Sequence, residues 1–141
     1  DGVYSIDEFY GKEAGTPVFS SFSVTPSTTT PGRIDINWAT TGQVNTFSLL
    51  RATSIDGNGD LDENITSVGG GVNDGTHTDT SLSNTGTSLG LYYYQATATN
   101  TDPNPNASVN SSVVSGLLLP TATSLTATAN AGIGGQIDLS I

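Results

Sequence analysis

The chain of 141 residues has no cysteine, no methionine and three Lys and Arg against 13 Asp and Glu, a formal net charge of −10 at pH 7. Without Cys there can be no disulfide scaffold, thiol nucleophile, zinc ribbon or iron–sulfur cluster. The shortage of cations excludes a nucleic-acid partner, because phosphate binding needs clustered Lys or Arg. The longest aliphatic run, Leu117-Leu118-Leu119, is far too short for a membrane span. One histidine, His77, and one tryptophan, Trp38, complete the scarce residues.

Hydroxyls fill the space that charge leaves. Ser and Thr number 39, whereas Asp, Glu, Lys and Arg make up 11% of the chain. That balance suits secreted and cell-surface β proteins, so an extracellular location is expected. The start at Asp1, with no initiator Met, reads as a mature product or a piece beginning there. Three sequons, at Asn64, Asn106 and Asn110, offer N-glycosylation acceptors.

Residues 1–15 stand apart. They hold the single Lys, two of the three Glu and the aromatics Tyr4, Phe9 and Tyr10. Ser5-Ile6-Asp7-Glu8 fits a capping box, which predicts a short helix over 6–13; a flexible or extended arm is the alternative. From Thr16 onward the periodicity is that of strands. Phe19, Phe22 and Val24 lie on one strand, followed by turn residues Pro26 and Pro31-Gly32. Ile34-Asp35-Ile36-Asn37-Trp38 alternates apolar and polar, as a strand with one buried face does. Asn45–Ala52 is the next strand, with Phe47, Leu49 and Arg51 on one face. Weaker strands are expected at Ile65–Val68 and His77–Leu82. In the strand Tyr92–Asn100, Tyr92, Tyr94, Ala96 and Ala98 share a face, and Val109–Gly116 closes the series. Gly69-Gly70-Gly71 reads as a flexible turn, and His77 as a surface residue. Regular strands separated by turns predict an all-β sandwich.

An internal repeat divides the chain. Gly32-Arg33-Ile34-Asp35-Ile36-Asn37-Trp38 returns as Gly135-Gln136-Ile137-Asp138-Leu139-Ser140-Ile141, and Phe22-Ser23-Val24-Thr25 returns in kind as Leu125-Thr126-Ala127-Thr128. The spacing suits a tandem sandwich module rather than a solenoid. The expected organisation is an arm at 1–15, a complete module at 16–116 and the first two strands of a second module at 117–141. Two strands cannot bury an apolar face alone. The chain is then a fragment of a longer protein, or the hairpin packs back on its own module, or it completes a neighbour's sheet. Leu125, Ile137, Leu139 and Ile141 are the candidate subunit contacts.

These residues resemble fibronectin type III domains, in their bacterial or archaeal form. Trp38 sits where that family carries a core Trp on its second strand. Thr78-Asp79-Thr80-Ser81-Leu82, with Tyr92-Tyr93-Tyr94-Gln95-Ala96-Thr97-Ala98-Thr99-Asn100, is similar to the family's tyrosine corner and sixth strand, and Tyr92 best fits the corner position. Ser112-Val113-Val114-Ser115-Gly116 is similar to its last strand. The resemblance implies an immunoglobulin-like sandwich used as spacer, adhesive or structural module, and fold alone does not establish function.

Chemistry-bearing motifs are few. Asp56-Gly57-Asn58-Gly59-Asp60-Leu61-Asp62-Glu63 places oxygen side chains at every second position of a Gly-rich loop, a pattern suited to a hard cation such as calcium. Asp56, Asn58, Asp60 and Asp62 are the candidate ligands, although Leu61 and Ser67 break the full calcium-loop pattern. No nucleophile elbow accompanies His77, and the scarcity of Glu disfavours a glycosidase pair. The expected protein is therefore no enzyme. It is an extracellular structural subunit, forming surfaces or filaments through strand contacts between copies. The alternative is a carbohydrate-binding or spacer module of a secreted polysaccharide-degrading enzyme. Partners on these readings are copies of the chain or cell-surface glycans.

Overall fold

Ile34, Ile36 and Trp38 face inward on one strand, and the polar residues between them face out, as the alternation requires. In the computed structural model this strand is one of ten among the described residues. The structure describes residues 15–71, 75–82, 89–101, 106–121, 126–129, 132 and 137–140. The helix expected at 6–13 lies outside them. The described elements are all strands: β1 (Val18–Pro26), β2 (Ile34–Thr41), β3 (Thr46–Ala52), β4 (Thr66–Gly71), β5 (Thr76–Asp79), β6 (Gly90–Asn100), β7 (Ala107–Asn110), β8 (Val114–Leu118), β9 (Thr126–Ala129) and β10 (Ile137–Ser140).

Two antiparallel sheets enclose one core, consistent with a β-sandwich. The first has the order β1-β2-β5. The second runs β4-β3-β6-β7, with β8 also on β6. Side chains from both sheets meet between them: Ile34, Ile36 and Trp38 from β2, Phe47 and Leu49 from β3, Tyr94, Ala96 and Ala98 from β6, and Leu118 from β8. A chain of aromatic rings spans the gap. Phe22 meets Phe19 edge-on at 6.2 Å, Phe19 meets Phe47 at 6.1 Å, and Phe47 meets Trp38 at 5.4 Å.

Three departures from simple alternation shape the sandwich. In β1 the register against β2 slips between Phe19 and Ser21. Ser20 is the extra residue, so Phe19 and Phe22, three apart, both turn toward the core. The last strand is not continuous over 109–116. β7 pairs with β6 at Thr97–Asn100, and β8 pairs with the same edge at Gly90–Tyr94. Between them Ser111 is buried. Its hydroxyl accepts from Ala96 N–H at 2.9 Å, and its N–H donates to Ala96 C=O at 2.8 Å. A side chain thus takes over one rung where the backbone ladder breaks. β8 also runs two residues beyond Gly116, and Leu118 belongs to the core.

The third departure is at the glycines. Gly69-Gly70-Gly71 is no turn; it is the second half of β4, paired with Phe47–Leu49. A Cβ on Gly69 would lie 2.8 Å from His77 Nε2, so the ring needs the bare backbone there. Gly116 plays the same part at the seam between the sheets: a Cβ there would lie 2.4 Å from Val24 Cγ1. Gly116→Ala is expected to cost about 1–3 kcal/mol by overpacking. Adding Val24→Ala should return part of that loss in urea unfolding, which a purely backbone effect would not allow.

The C-terminal hairpin repeats the first hairpin in register as well as in sequence. β1–β2 pairs Ser23 with Asn37, Val24 with Ile36, Thr25 with Asp35 and Pro26 with Ile34. β9–β10 pairs Thr126 with Ser140, Ala127 with Leu139, Thr128 with Asp138 and Ala129 with Ile137. Every pair is its counterpart moved along the chain by one constant offset. Among the described residues β9 and β10 form a sheet of their own, and neither pairs with a strand of the sandwich.

Candidate functional site

The acidic loop between β3 and β4 folds as a tight extension of their hairpin. Ile55 and Leu61 form a bridge, Asp56 N–H donates to Asp60 C=O at 2.9 Å, and Gly59 turns at a φ of 90°. Asp56 staples the turn. Its Oδ1 accepts from the backbone N–H of Asn58 at 2.8 Å and of Asp60 at 2.9 Å, and its Oδ2 accepts from the Asn58 amide at 3.2 Å. The Asp60 and Asn58 backbone donors hold its carboxyl below the ordinary value of 3.8.

Of the four candidate calcium ligands, Asp56 and Asn58 meet side chain to side chain. Among the described residues no group of three or more His, Cys, Asp or Glu side chains gathers to hold a metal ion. Asp56 spends its lone pairs on the turn, and Asn58, Asp60 and Asp62 are exposed beside it. Asp56→Ala is expected to speed hydrogen exchange at the Asn58 and Asp60 amides and to leave the β6 amides protected, as two-dimensional NMR would show. Because the Asp56 carboxyl is depressed, the staple is complete above pH 3.8 and is released as pH falls through its lower folded value.

A second polar cluster lies at the same end of β3, on the inner side of the sheet, and the sequence did not announce it. Asp79 is fully buried at the end of β5. Its Oδ2 accepts from Arg51 Nη1 at 2.7 Å and from the Tyr94 hydroxyl at 3.0 Å. Its Oδ1 accepts from the Ser81 N–H at 2.9 Å and the Ser81 hydroxyl at 2.6 Å. Arg51 reaches Asp79 because Phe47, Leu49 and Arg51 share the inward face of β3, and its guanidinium also lies 5.4 Å from the Tyr92 ring centre. Of the two tyrosines on this face, Tyr94 is the one whose hydroxyl donates to Asp79. Tyr94 is the deeper of the two, and Tyr92 stays half-buried under Arg51.

Burial pushes Asp79 up, but the Ser81 hydroxyl and the Arg51 guanidinium outweigh it and hold the carboxyl below its usual range. Burial, reinforced by the Asp79 carboxylate, raises the Tyr94 phenol well above its ordinary value. Both groups keep their charge states across neutral pH, which suits a brace rather than proton transfer. Ser81 donates directly to Asp79, with no base between them. His77 lies elsewhere: it is half-buried rather than on the surface, and its Nε2–H donates to Val68 C=O at 2.9 Å. This bond ties β5 of one sheet to β4 of the other.

The sequon residues Asn64, Asn106 and Asn110 are all exposed. Asn64 sits at a φ of 55°, and its side-chain amide donates to Thr53 Oγ1 at 2.9 Å. Asn110 Oδ1 accepts from Thr97 Oγ1 at 2.8 Å. Of the expected subunit contacts, Leu125 and Ile141 lie outside the described residues. Ile137 and Leu139 are placed on β10, and their side chains lie outside the description.

No helix among the described residues is long and apolar enough to cross a membrane. Comparison with protein-family models, with curated proteins and with solved structures gives no match to this chain.

Proposed function

We propose that the chain is a non-enzymatic extracellular structural subunit, built on a fibronectin type III-like sandwich and assembled through strand contacts between copies. The observation that carries this reading is the C-terminal hairpin. It reproduces β1–β2 register for register, and among the described residues it has none of the strands that β1–β2 use to cover their inner face. A lone two-stranded hairpin is marginal in water. Its counterpart in the sandwich is covered by β3, β6 and β8, so it calls for equivalent cover from further chain or from another copy. The three-stranded sheet opposite a β4-β3-β6 sheet, the buried Trp38 and the Tyr94 hydroxyl on Asp79 support the fibronectin-like assignment. The hydroxyl-rich, cation-poor composition supports the extracellular location. Carbohydrate binding would call for a strip of exposed rings, and no aromatic residue among those described is exposed.

Ending the chain at Thr121 tests the reading. Among the described residues the core draws on nothing beyond Leu118. The shortened chain should unfold cooperatively, within about 1 kcal/mol of the full chain by Trp38 fluorescence. The full chain should form assemblies by light scattering and negative-stain microscopy, and the shortened chain should not. Assemblies that survive the deletion would refute the proposal, as would a full chain that stays monomeric.

A further inference from the structure

On the β1 side of the sandwich a groove of about 320 Å³ opens between the sheets, with Val18, Phe19, Phe22, Val109, Ser111 and Ser112 in its lining. β1 pairs only with β2, and β7 only with β6, so both strands bordering the groove present a backbone edge without a ladder partner among the described residues. Farther along β1 the gap is shut, because Gly116 brings β8 against Val24. The open edge is thus the short stretch Val18–Phe22.

Charge does not oppose strand entry here. The chain carries −10, yet residues 14–32 and 103–137 contain no charged residue. The groove-lining stretches of β1 and β7, and β8 and β9 besides, all fall within those two blocks. Approach through these blocks meets no like charge from the strands that touch, whereas approach through the acidic β3–β4 loop would bring carboxylates together. β9, Thr126-Ala127-Thr128-Ala129, is uncharged, already extended, and unpaired on the edge away from β10. Its four residues fit within the five-residue open edge, which the irregularity at Ser20 makes unsuitable for a longer strand.

We propose that β9 of one copy adds to the Val18–Phe22 edge of β1 in a second copy, extending the β1-β2-β5 sheet by a hairpin. The contact is head-to-tail: the surface that gives differs from the surface that receives, so it propagates into a chain of subunits unless it closes as a ring. This inference rests on the self-assembly proposed above and names the contact that carries it.

The absence of native cysteine makes the test direct. Full-length Ser20→Cys and full-length Thr128→Cys are mixed and treated with a short bis-maleimide. The mixed dimer should exceed either like-with-like dimer by about tenfold, the ratio a preference of one decade in affinity gives. Adding Val18→Glu and Ser112→Glu to the Ser20→Cys chain should cut the mixed dimer about tenfold, because strand addition would then meet charge in the groove. Light scattering of the unsubstituted chain separates the ways of failing. Assembly without a mixed-dimer excess overturns this contact and leaves self-assembly standing. A monomeric chain overturns both. Cross-linking within a single dilute chain carrying both cysteines shows the hairpin folded onto its own groove and overturns the second-copy occupant.

Discussion

Replacing Asp79 with Ala lowers the unfolding free energy by about 3–5 kcal/mol, the range for breaking a buried ion pair by removing one partner. The magnitude follows from what is left behind. Arg51, with 14% of its side chain exposed, loses the carboxylate that compensates its charge, and the buried Tyr94 hydroxyl loses its acceptor. Tyr94→Phe removes one donor and leaves the ion pair, so its cost should be about 1 kcal/mol. Urea unfolding followed by Trp38 fluorescence gives both values. Equal losses for the two variants would mean that the phenol, not the ion pair, is the main brace. The pH dependence has a fixed sign. Asp79 is held below its ordinary value of 3.8. Its contribution is therefore complete above pH 3.8 and disappears as pH falls through the lower folded value. The unsubstituted chain should lose stability in acid, and Asp79→Ala should lose less of what it retains.

Phe47→Ala is expected to cost a similar amount, about 3–5 kcal/mol, the usual cost of deleting a buried aromatic ring. Phe47 is 5% exposed and sits where the aromatic chain crosses between sheets, touching Phe19 on one side and Trp38 on the other. Its loss opens a cavity bordered by stiff strands that cannot collapse, and it removes two ring contacts worth about 0.5–1.5 kcal/mol each beyond area burial. Phe47→Leu keeps most of the volume and should cost less than about half as much. The fluorescence of Trp38, the single tryptophan, should shift in both native variants because its ring packs, tilted by 43°, against the altered site. An unshifted native spectrum in Phe47→Ala would contradict the packing.

Strict alternation made β2 and β6 legible, since Ile34, Ile36, Tyr94, Ala96 and Ala98 each needed only their neighbours to declare a face. Arg51 was readable as inward, but its partner Asp79 lies far along the chain, and nothing local pairs them. The glycines of β4 misled because a turn and a strand that must admit a histidine ring both ask for a missing Cβ, and only the fold shows His77 there. The break at Ser111 was hidden for a related reason: a serine in a serine-rich stretch gives no sign that its hydroxyl replaces a backbone rung. In the acidic loop the oxygens follow a metal-binding spacing, and that spacing does not reveal that Asp56 accepts from backbone donors of its own turn. The hairpin repeat was visible in both sequence and register, because pairing follows the side-chain pattern on which the repeat is written.

The direction of β1 against the closing strands has a mechanical consequence. Val18–Phe22 face Val109–Ser112 across the groove, and Val24 meets Gly116, so β1 and the β7–β8 stretch run the same way. The backbone enters the sandwich at one pole and leaves at the other. In a string of such units, tension would pull β1 lengthwise along β2, loading the whole ladder from Val18 to Pro26 in shear. Rungs that must break together resist far more force than rungs peeled one at a time, so this topology suits a part that is stretched.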